Sequence, residues 1–458
     1  MKMKRFAAAA AVLAMAASMA SIPANAEPEP ETTPVPVYST TVGGDMYAPV
    51  EKYLVMKNDA TVPNASFSFT VAAGQAVAAD TEQNTVEVRA GIGTPVFLLS
   101  TETDENKVND NTGSATNATV IFSKSDATTP ENGADHDKIN FSTPADLTDE
   151  KYVQKKLVID FTGIAFPEPG VYRYVITESA AGADQPKGVT NDTNNTRILD
   201  VVVEDDSSNT DNKLKISNYL LHNNATDTPV KGTGELSGTA TIANKSTGFT
   251  NKYETYNLEF SKSVEGNQGS RDKYFLFTVS ITNAKGAEIT VVGKDNTFSS
   301  APAKSASTIY EASAMAAANT RDEDTADGQQ LIADEDGRIT ASFYLRHGQS
   351  VILQGLPAGA KYSIVEDAES YTLSVNVNEH TETPYTGDVT ANAAGNGITD
   401  QDTGIQGNTN AAFTNTQNGT IPTGLISTVA ASAGIAALGA AGVAGGIIIA
   451  KKKKHEDE

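Results

Sequence analysis

The chain has no cysteine and no tryptophan among its 458 residues, and only five histidines. Without cysteine there is no disulfide to brace it, although an exported protein is free to form them. Resistance to force and proteases must come from the cores alone or from another source. The histidines, His136, His222, His347, His380 and His455, are scattered. No Ser-His-Asp, Cys-His or metal-ligand spacing appears, which argues against a surface hydrolase and gives no reason to expect a cofactor or metal. The acidic run 322–336 lacks the one-three-five ligand spacing of a calcium loop. Positive charge is also scarce, with 34 basic groups against 57 acidic ones. Setting aside the three acidic and seven basic groups of the two terminal segments leaves 54 and 27, a net charge of −27. Such a surface stays soluble and repels nucleic acid.

The two ends carry addresses. Lys2, Lys4 and Arg5, an Ala/Met/Leu run and Ala24-Asn25-Ala26 form the charged, apolar, small-residue order of a secretory signal, expected as residues 1–26. Residues 27–43 begin with EPEPETTPVP, an extended Pro/Glu/Thr linker. At the other end Ile421, Pro422, Thr423 and Gly424 precede an apolar segment, 425–450, longer than the roughly 20 residues that span a bilayer. The lysines of the tail, 451–458, favour a cytoplasmic end. Motif, span and basic tail in this order resemble the sorting signal that sortases read in Gram-positive surface proteins. The usual motif is Leu-Pro-any-Thr-Gly; the form here is closer to the Ile/Val-Pro-Thr-Gly of pilins. The resemblance implies a secreted, wall-anchored protein whose Thr423 carbonyl a sortase transfers to an amine, with peptidoglycan as a partner. The roughly 400 residues in between suggest two or three domains.

That region reads as all-β. Strand-like runs alternate with clusters of Asn, Asp, Gly, Thr and Pro, which are turn chemistry. A first series comprises Lys52–Met56, Ser66–Val71, Val86–Val88, Val96–Leu99, Thr119–Phe122, Leu157–Phe161, Gly170–Glu178 and Ile198–Val203. A second runs from Leu258 through Tyr274–Val279, Ile289–Val292, Arg338–Leu345, Ser350–Leu353, Tyr362–Glu366, Tyr371–Val377 and Ala411–Asn415. Residues 311–319 (EASAMAAAN) are compatible with a brief helix.

The two series repeat one another. Each opens on a strand carrying a lysine, Lys52 or Lys262, and continues with F-x-F, Phe67/Phe69 or Phe275/Phe277. Each has Y-x-I-x-E, ending at Glu178 or Glu366, and closes on F-T-N, ending at Asn251 or Asn415. A period of two puts Tyr, Ile and Glu on one strand face, so a buried tyrosine brings the glutamate inside. Lys262 shares its face with Leu258 and Phe260, and Lys52 with Leu54 and Met56. Lys57, the rival to Lys52, is out of phase with that set. Burial makes a lysine amine neutral and nucleophilic and a glutamate protonated. The combination permits amide exchange: the lysine attacks the asparagine carboxamide, the glutamate shuttles protons, and ammonia leaves. This is one turnover on the chain itself, not enzymatic catalysis of an outside substrate.

These motifs resemble the streptococcal-type pilin isopeptide-linkage domains of Gram-positive pilus shafts, over about residues 44–424. The resemblance implies two tandem immunoglobulin-like (CnaB-type) β-sandwiches, here 44–253 and 254–420. It also implies a Lys52–Asn251 bond assisted by Glu178 and a Lys262–Asn415 bond assisted by Glu366. The first domain is longer than usual for the family. The resemblance further implies an acceptor lysine shortly before the first F-T-N. Lys245 stands there, with Lys231 and Lys252 as rivals; the Tyr-Pro-Lys-Asn motif of other shaft subunits is absent. The expected function is that of a shaft pilin, partnered by sortase, copies of itself and minor pilins. The alternative is an unpolymerised wall-anchored adhesin or minor pilin that binds a host ligand.

Overall fold

A computed structural model describes residues 46–419 apart from 100–109, 137, 180–184, 207–213, 233–244, 295–327, 378–389, 392–395 and 401–402. Signal, linker, sorting motif, apolar span, tail and the helix expected at 311–319 lie outside the described residues, as do residues 322–327 of the acidic run. The described residues fold as two tandem all-β sandwiches of the immunoglobulin-like, CnaB type, with Glu254 between their last and first strands.

In the first sandwich, one sheet orders Val189–Thr190, Gly248–Tyr253, Tyr47–Lys57, Glu150–Asp160 and Val96–Phe97. The facing sheet orders Leu214–His222, Thr196–Asp205, Gly170–Glu178, Ala65–Ala73, Asn117–Phe122 and Asn111–Ser114. The opening strand Tyr47–Lys57 and the closing strand Gly248–Tyr253 lie side by side and parallel. Only glycine fits at their first pair, because a Cβ on Gly248 would fall 1.7 Å from the Glu51 carbonyl oxygen. Phe67, Phe69, Tyr174, Ile176, Leu199 and Phe249 fill the core between the sheets. Each such side chain contributes about 1.5–3 kcal/mol on burial.

The second sandwich repeats the plan. Gln330–Ile332, Glu288–Lys294, Gln349–Pro357, Thr255–Glu265, Thr409–Thr416 and Thr372–Val377 form one sheet. Ile339–Leu345, Phe275–Thr282, Lys361–Glu366, Gly397–Asp400 and Thr390–Ala391 form the other. Opening strand Thr255–Glu265 and closing strand Thr409–Thr416 are again parallel neighbours. At the junction, the Glu254 amide donates to Gly188 O at 2.9 Å, and Ala358 N donates to Glu254 O at 2.9 Å. Asn257 Nδ2 donates to Asp59 Oδ2 at 2.9 Å, and the Lys57 amine lies 4.8 Å from the Tyr256 ring centre.

Three features differ from the sequence expectations. The run Leu157–Phe161 belongs to a longer strand, Glu150–Asp160, and Val86–Val88 gives way to Val88–Ala90. Leu214–His222 is a full strand that alternation does not reveal, because its C-terminal half is buried on both faces and a register shift at Val202/Val203 interrupts its pairing. Finally, the opening strand of the first domain is buried on both faces. Ile139 and Phe141 cover its outer residues, Tyr53 and Val55, together with Tyr152 on the neighbouring strand.

Candidate functional site

The three repeated residues meet in the core of each domain. Lys52, Glu178 and Asn251 are all essentially inaccessible, as are Lys262, Glu366 and Asn415. Register explains the meeting. In the parallel pairs, Lys52 lies opposite Phe249 and Leu54 opposite Asn251, while Lys262 lies opposite Phe413 and Val264 opposite Asn415. Lysine and asparagine thus come from adjacent strands of one sheet with the same offset. The glutamate comes from the facing sheet, where Glu178 pairs with Phe69 and Glu366 with Phe277. The first phenylalanine of each F-x-F lies close to the amine, with Lys52 Nζ 4.1 Å from the Phe67 ring centre and Lys262 Nζ 4.7 Å from that of Phe275.

The first site is a closed triangle. Lys52 Nζ donates to Glu178 Oε2 at 2.7 Å and also to Asn251 Oδ1. Asn251 Nδ2 donates to Glu178 Oε1 at 2.7 Å. In the second site Lys262 Nζ lies 2.9 and 3.2 Å from the two Glu366 oxygens, and Asn415 Nδ2 donates to Glu366 Oε1 at 2.6 Å. There the Asn415 carboxamide oxygen is buried without a hydrogen-bond partner. Burial pushes the Lys52 amine down to about 8, against the opposing pull of Glu178. It does the same to Lys262, also to about 8, against Glu366. Burial raises the Glu366 carboxyl above its ordinary value, opposed by Lys262 and Asn415. The direction in the second site is toward a neutral amine beside a protonated acid. A neutral amine next to an amide carbonyl, with a proton carrier bridging both, is an arrangement suited to amide exchange.

The other lysines sit elsewhere. Lys57 is half-buried against Tyr256 at the domain junction, away from Asn251. Lys245 is half-buried and pairs through its backbone with His222, just before the closing strand. Lys252 Nζ donates to Phe141 O at 3.1 Å, and Lys231 follows the Asn224–Val230 loop, its amide bonded to Asn84 O. Sequence reasoning missed the residues that fix the closing strand. Arg197 Nε donates to Ser246 Oγ at 3.0 Å and Gly248 O at 2.7 Å, and Arg197 Nη2 to Asp192 Oδ2 at 2.6 Å. Thr250 N donates to the same Asp192 oxygen at 2.7 Å. The available signal was Arg197 at the head of the apolar run ILDVVV.

Fold and geometry together define tandem β-sandwiches with a lysine, glutamate and asparagine buried at one place in each. Comparison with known proteins agrees with that class. Residues 48–254 match the family of the Spy0128-like isopeptide containing domain. Residues 256–417 match a family described as a domain of unknown function, DUF7601. A curated pilin of Streptococcus pyogenes serotype M1 is 26% identical over 306 residues, 65% of this chain and 72% of that protein. Crystal structures of the S. pyogenes major pilin and of a single-substitution variant of it are each 20% identical. Both cover 82% of this chain and 99% of their own, with TM-scores of 0.45 and 0.43. The first domain thus matches the Spy0128-like isopeptide containing domains, and the chain is similar to a Gram-positive pilin.

Proposed function

We propose that the protein is the structural subunit of a cell-surface pilus, held internally by two isopeptide bonds and joined to its neighbours by a sortase. In each domain the neutral lysine attacks the asparagine carboxamide carbon. The glutamate protonates the carboxamide, takes the amine proton and returns it to the departing nitrogen. A C–N bond to lysine forms, the C–N bond to nitrogen breaks, and one ammonia leaves. The observation that carries this reading is the identical offset of Lys, Glu and Asn in two domains of different size and loop content. It extends the chemistry to the second domain, whose matching family has no described function. The geometry favours Lys52 over Lys57, since only Lys52 reaches Glu178 and Asn251.

Assembly follows from the ends. A sortase reads Ile421–Gly424 and breaks the Thr423–Gly424 peptide bond, with Gly424 leaving as the free amine. It holds the Thr423 carbonyl as an acyl link and delivers it to the amine of Lys245 of the next copy or of peptidoglycan. The position of Lys245, immediately ahead of the anchored closing strand, supports it as acceptor. Immunoblots of cell-wall extracts test the polymer, because a ladder means a shaft and a single wall-linked band means the anchored adhesin or minor pilin. Mass spectrometry of the secreted chain tests the bonds. Two missing ammonia equivalents are expected, and a full mass would overturn the cross-link reading. Lys245→Ala should abolish the ladder and leave wall-linked monomer; a persistent ladder moves the acceptor to Lys231, Lys252 or elsewhere.

A further inference from the structure

The first domain buries a second charged cluster that the isopeptide chemistry does not use. Arg173, Asp200 and His222 occupy neighbouring strands of one sheet, on the face turned away from the core. Arg173 Nε and Nη2 donate to the two Asp200 oxygens, both at 2.8 Å. Its remaining donors go to Ala225 O at 2.5 Å and Asp227 O at 2.7 Å, on the loop that covers this face. His222 Nε2 lies 3.1 Å from Asp200 Oδ2. With a carboxylate there, Nε2 carries the proton and Nδ1 keeps its lone pair. That Nδ1 is buried and has no hydrogen-bond partner. Unsatisfied buried polar atoms are rare and call for a physical account.

The residue directly across from His222 in the backbone pairing is Lys245. Opposed residues of an antiparallel pair project to the same face, with Cβ atoms about 5 Å apart. Lys245 therefore leaves the backbone beside the imidazole. Its segment is held in place, because Ser246 N donates to Leu221 O at 2.9 Å and Arg197 grips Ser246 and Gly248.

We infer that the Arg173–Asp200–His222 relay activates the Lys245 amine, with His222 Nδ1 taking the proton that the amine sheds as it attacks an acyl group. The inference rests on the reading of Lys245 as acceptor for its biological use, not for its chemistry. In the step, Lys245 Nζ bonds to the acyl carbon, the bond to the leaving group breaks, and the proton passes to His222 and then to the leaving group. Asp200 holds the imidazole tautomer and balances the imidazolium formed, and Arg173 fixes Asp200. The charged groups facing His222 are Asp200 and, behind it, Arg173 on the flanking strands, Lys245 opposite, and Asp227 on the covering loop.

The experiment is competitive amine acylation of the full chain across pH, read for each lysine by peptide mass spectrometry. Thr423→Ala serves as background so that Lys245 is not consumed. The expected result in the parent is faster acylation of Lys245 than of Lys231. His222→Gln should lower the Lys245 rate by about a hundredfold or more, the lower edge of general-base effects. Retention of the first-domain ammonia deficit reports that the variant has folded. If His222→Gln does not fold, the parent decides alone: a Lys245 rate no higher than that of Lys231 overturns the inference. Equal Lys245 rates in parent and folded variant overturn it as well. A ladder that survives Lys245→Ala while His222-dependent labelling persists removes the acceptor role and upholds the activation.

Discussion

The two domains carry the same three residues at the same offset, yet they protect them differently. In the first, the opening strand is covered outside by Ile139 and Phe141, and the facing sheet is backed by the Arg173–Asp200–His222 cluster. Its lysine, glutamate and asparagine form a closed triangle. In the second, a single sandwich encloses a lysine held by its glutamate, with the carboxamide oxygen of Asn415 unpartnered. A cavity of about 400 Å³, lined by Leu276, Asp367, Tyr371 and Leu373 among others, reaches Glu366. The shared register sets the chemistry, and the added layers set how well it is shielded. Breaking one bond at a time should therefore hurt the two domains unequally.

The largest effect is expected from removing a cross-link. Each of the two proposed bonds closes a loop of more than a hundred residues, worth roughly 4 to 5 kcal/mol in the chain-entropy model. Lys262→Ala also leaves Glu366 buried without its cation, although that carboxyl can neutralise by taking a proton. The second domain should melt lower and become open to trypsin, and the mass should rise by one ammonia equivalent once the alanine change is allowed for. Lys52→Ala should cost a similar free energy but leave the better-covered first domain more resistant to trypsin. Equal digestion of the two variants would show that the outer layer gives no shielding.

The next effect belongs to the first domain alone. Arg173 and Asp200 are buried and bidentate, and removing one partner of such a pair costs about 3–5 kcal/mol. Arg173→Met should lower the denaturant midpoint of the first domain, leave that of the second unchanged, and leave both mass deficits intact. A fall in both midpoints would mean that the domains unfold as one unit.

How much of this was legible in the sequence depends on which face of a strand is considered. The inner faces were readable because period two carries Tyr174, Ile176 and Glu178 inward together, and likewise Tyr362, Ile364 and Glu366. The parallel register of opening and closing strands was not, since nothing local ties Lys52 to Phe249. Nor was the outer layer, whose Ile139 and Phe141 lie among turn residues outside any strand. Arg173 and Asp200 offered an unread signal. A charge inside the apolar runs GVYRYVITE and ILDVVV, on the face opposite the core, marks a strand buried on both sides.

Titration compares the sites more finely. In Asn415→Ala no second bond can form, and Lys262 keeps its depressed value of about 8. Between that value and the ordinary lysine range near 10.4 the unfolded chain binds more protons, so stability rises with pH. The gain should reach about 3 kcal/mol across the window and be lost as pH falls through 8. Glu366, raised by burial, acts with the opposite sign: its contribution is present at acid pH and lost as pH rises through its raised value. Asn251→Ala should give the first domain the same alkaline slope from Lys52. Urea midpoints at neutral and alkaline pH measure both slopes, and a flat second-domain profile would mean that Lys262 is not desolvated as described.

The smallest effect concerns the seam between the domains. Lys57 stands on the opening strand five residues beyond Lys52, and its amine lies 4.8 Å from the Tyr256 ring centre across the junction. A cation over an exposed ring contributes about 0.5–1 kcal/mol, and the backbone bonds through Glu254 remain without it. Lys57→Ala should therefore keep both mass deficits, because Lys52 alone reaches Asn251. It should shift each domain's midpoint by no more than about 1 kcal/mol and weaken the coupling between the two unfolding transitions. Scanning calorimetry of the variant beside the parent measures that coupling. Loss of the first-domain ammonia deficit in Lys57→Ala would instead make Lys57 the partner of Asn251, and the geometry of Lys52, Glu178 and Asn251 would need another purpose.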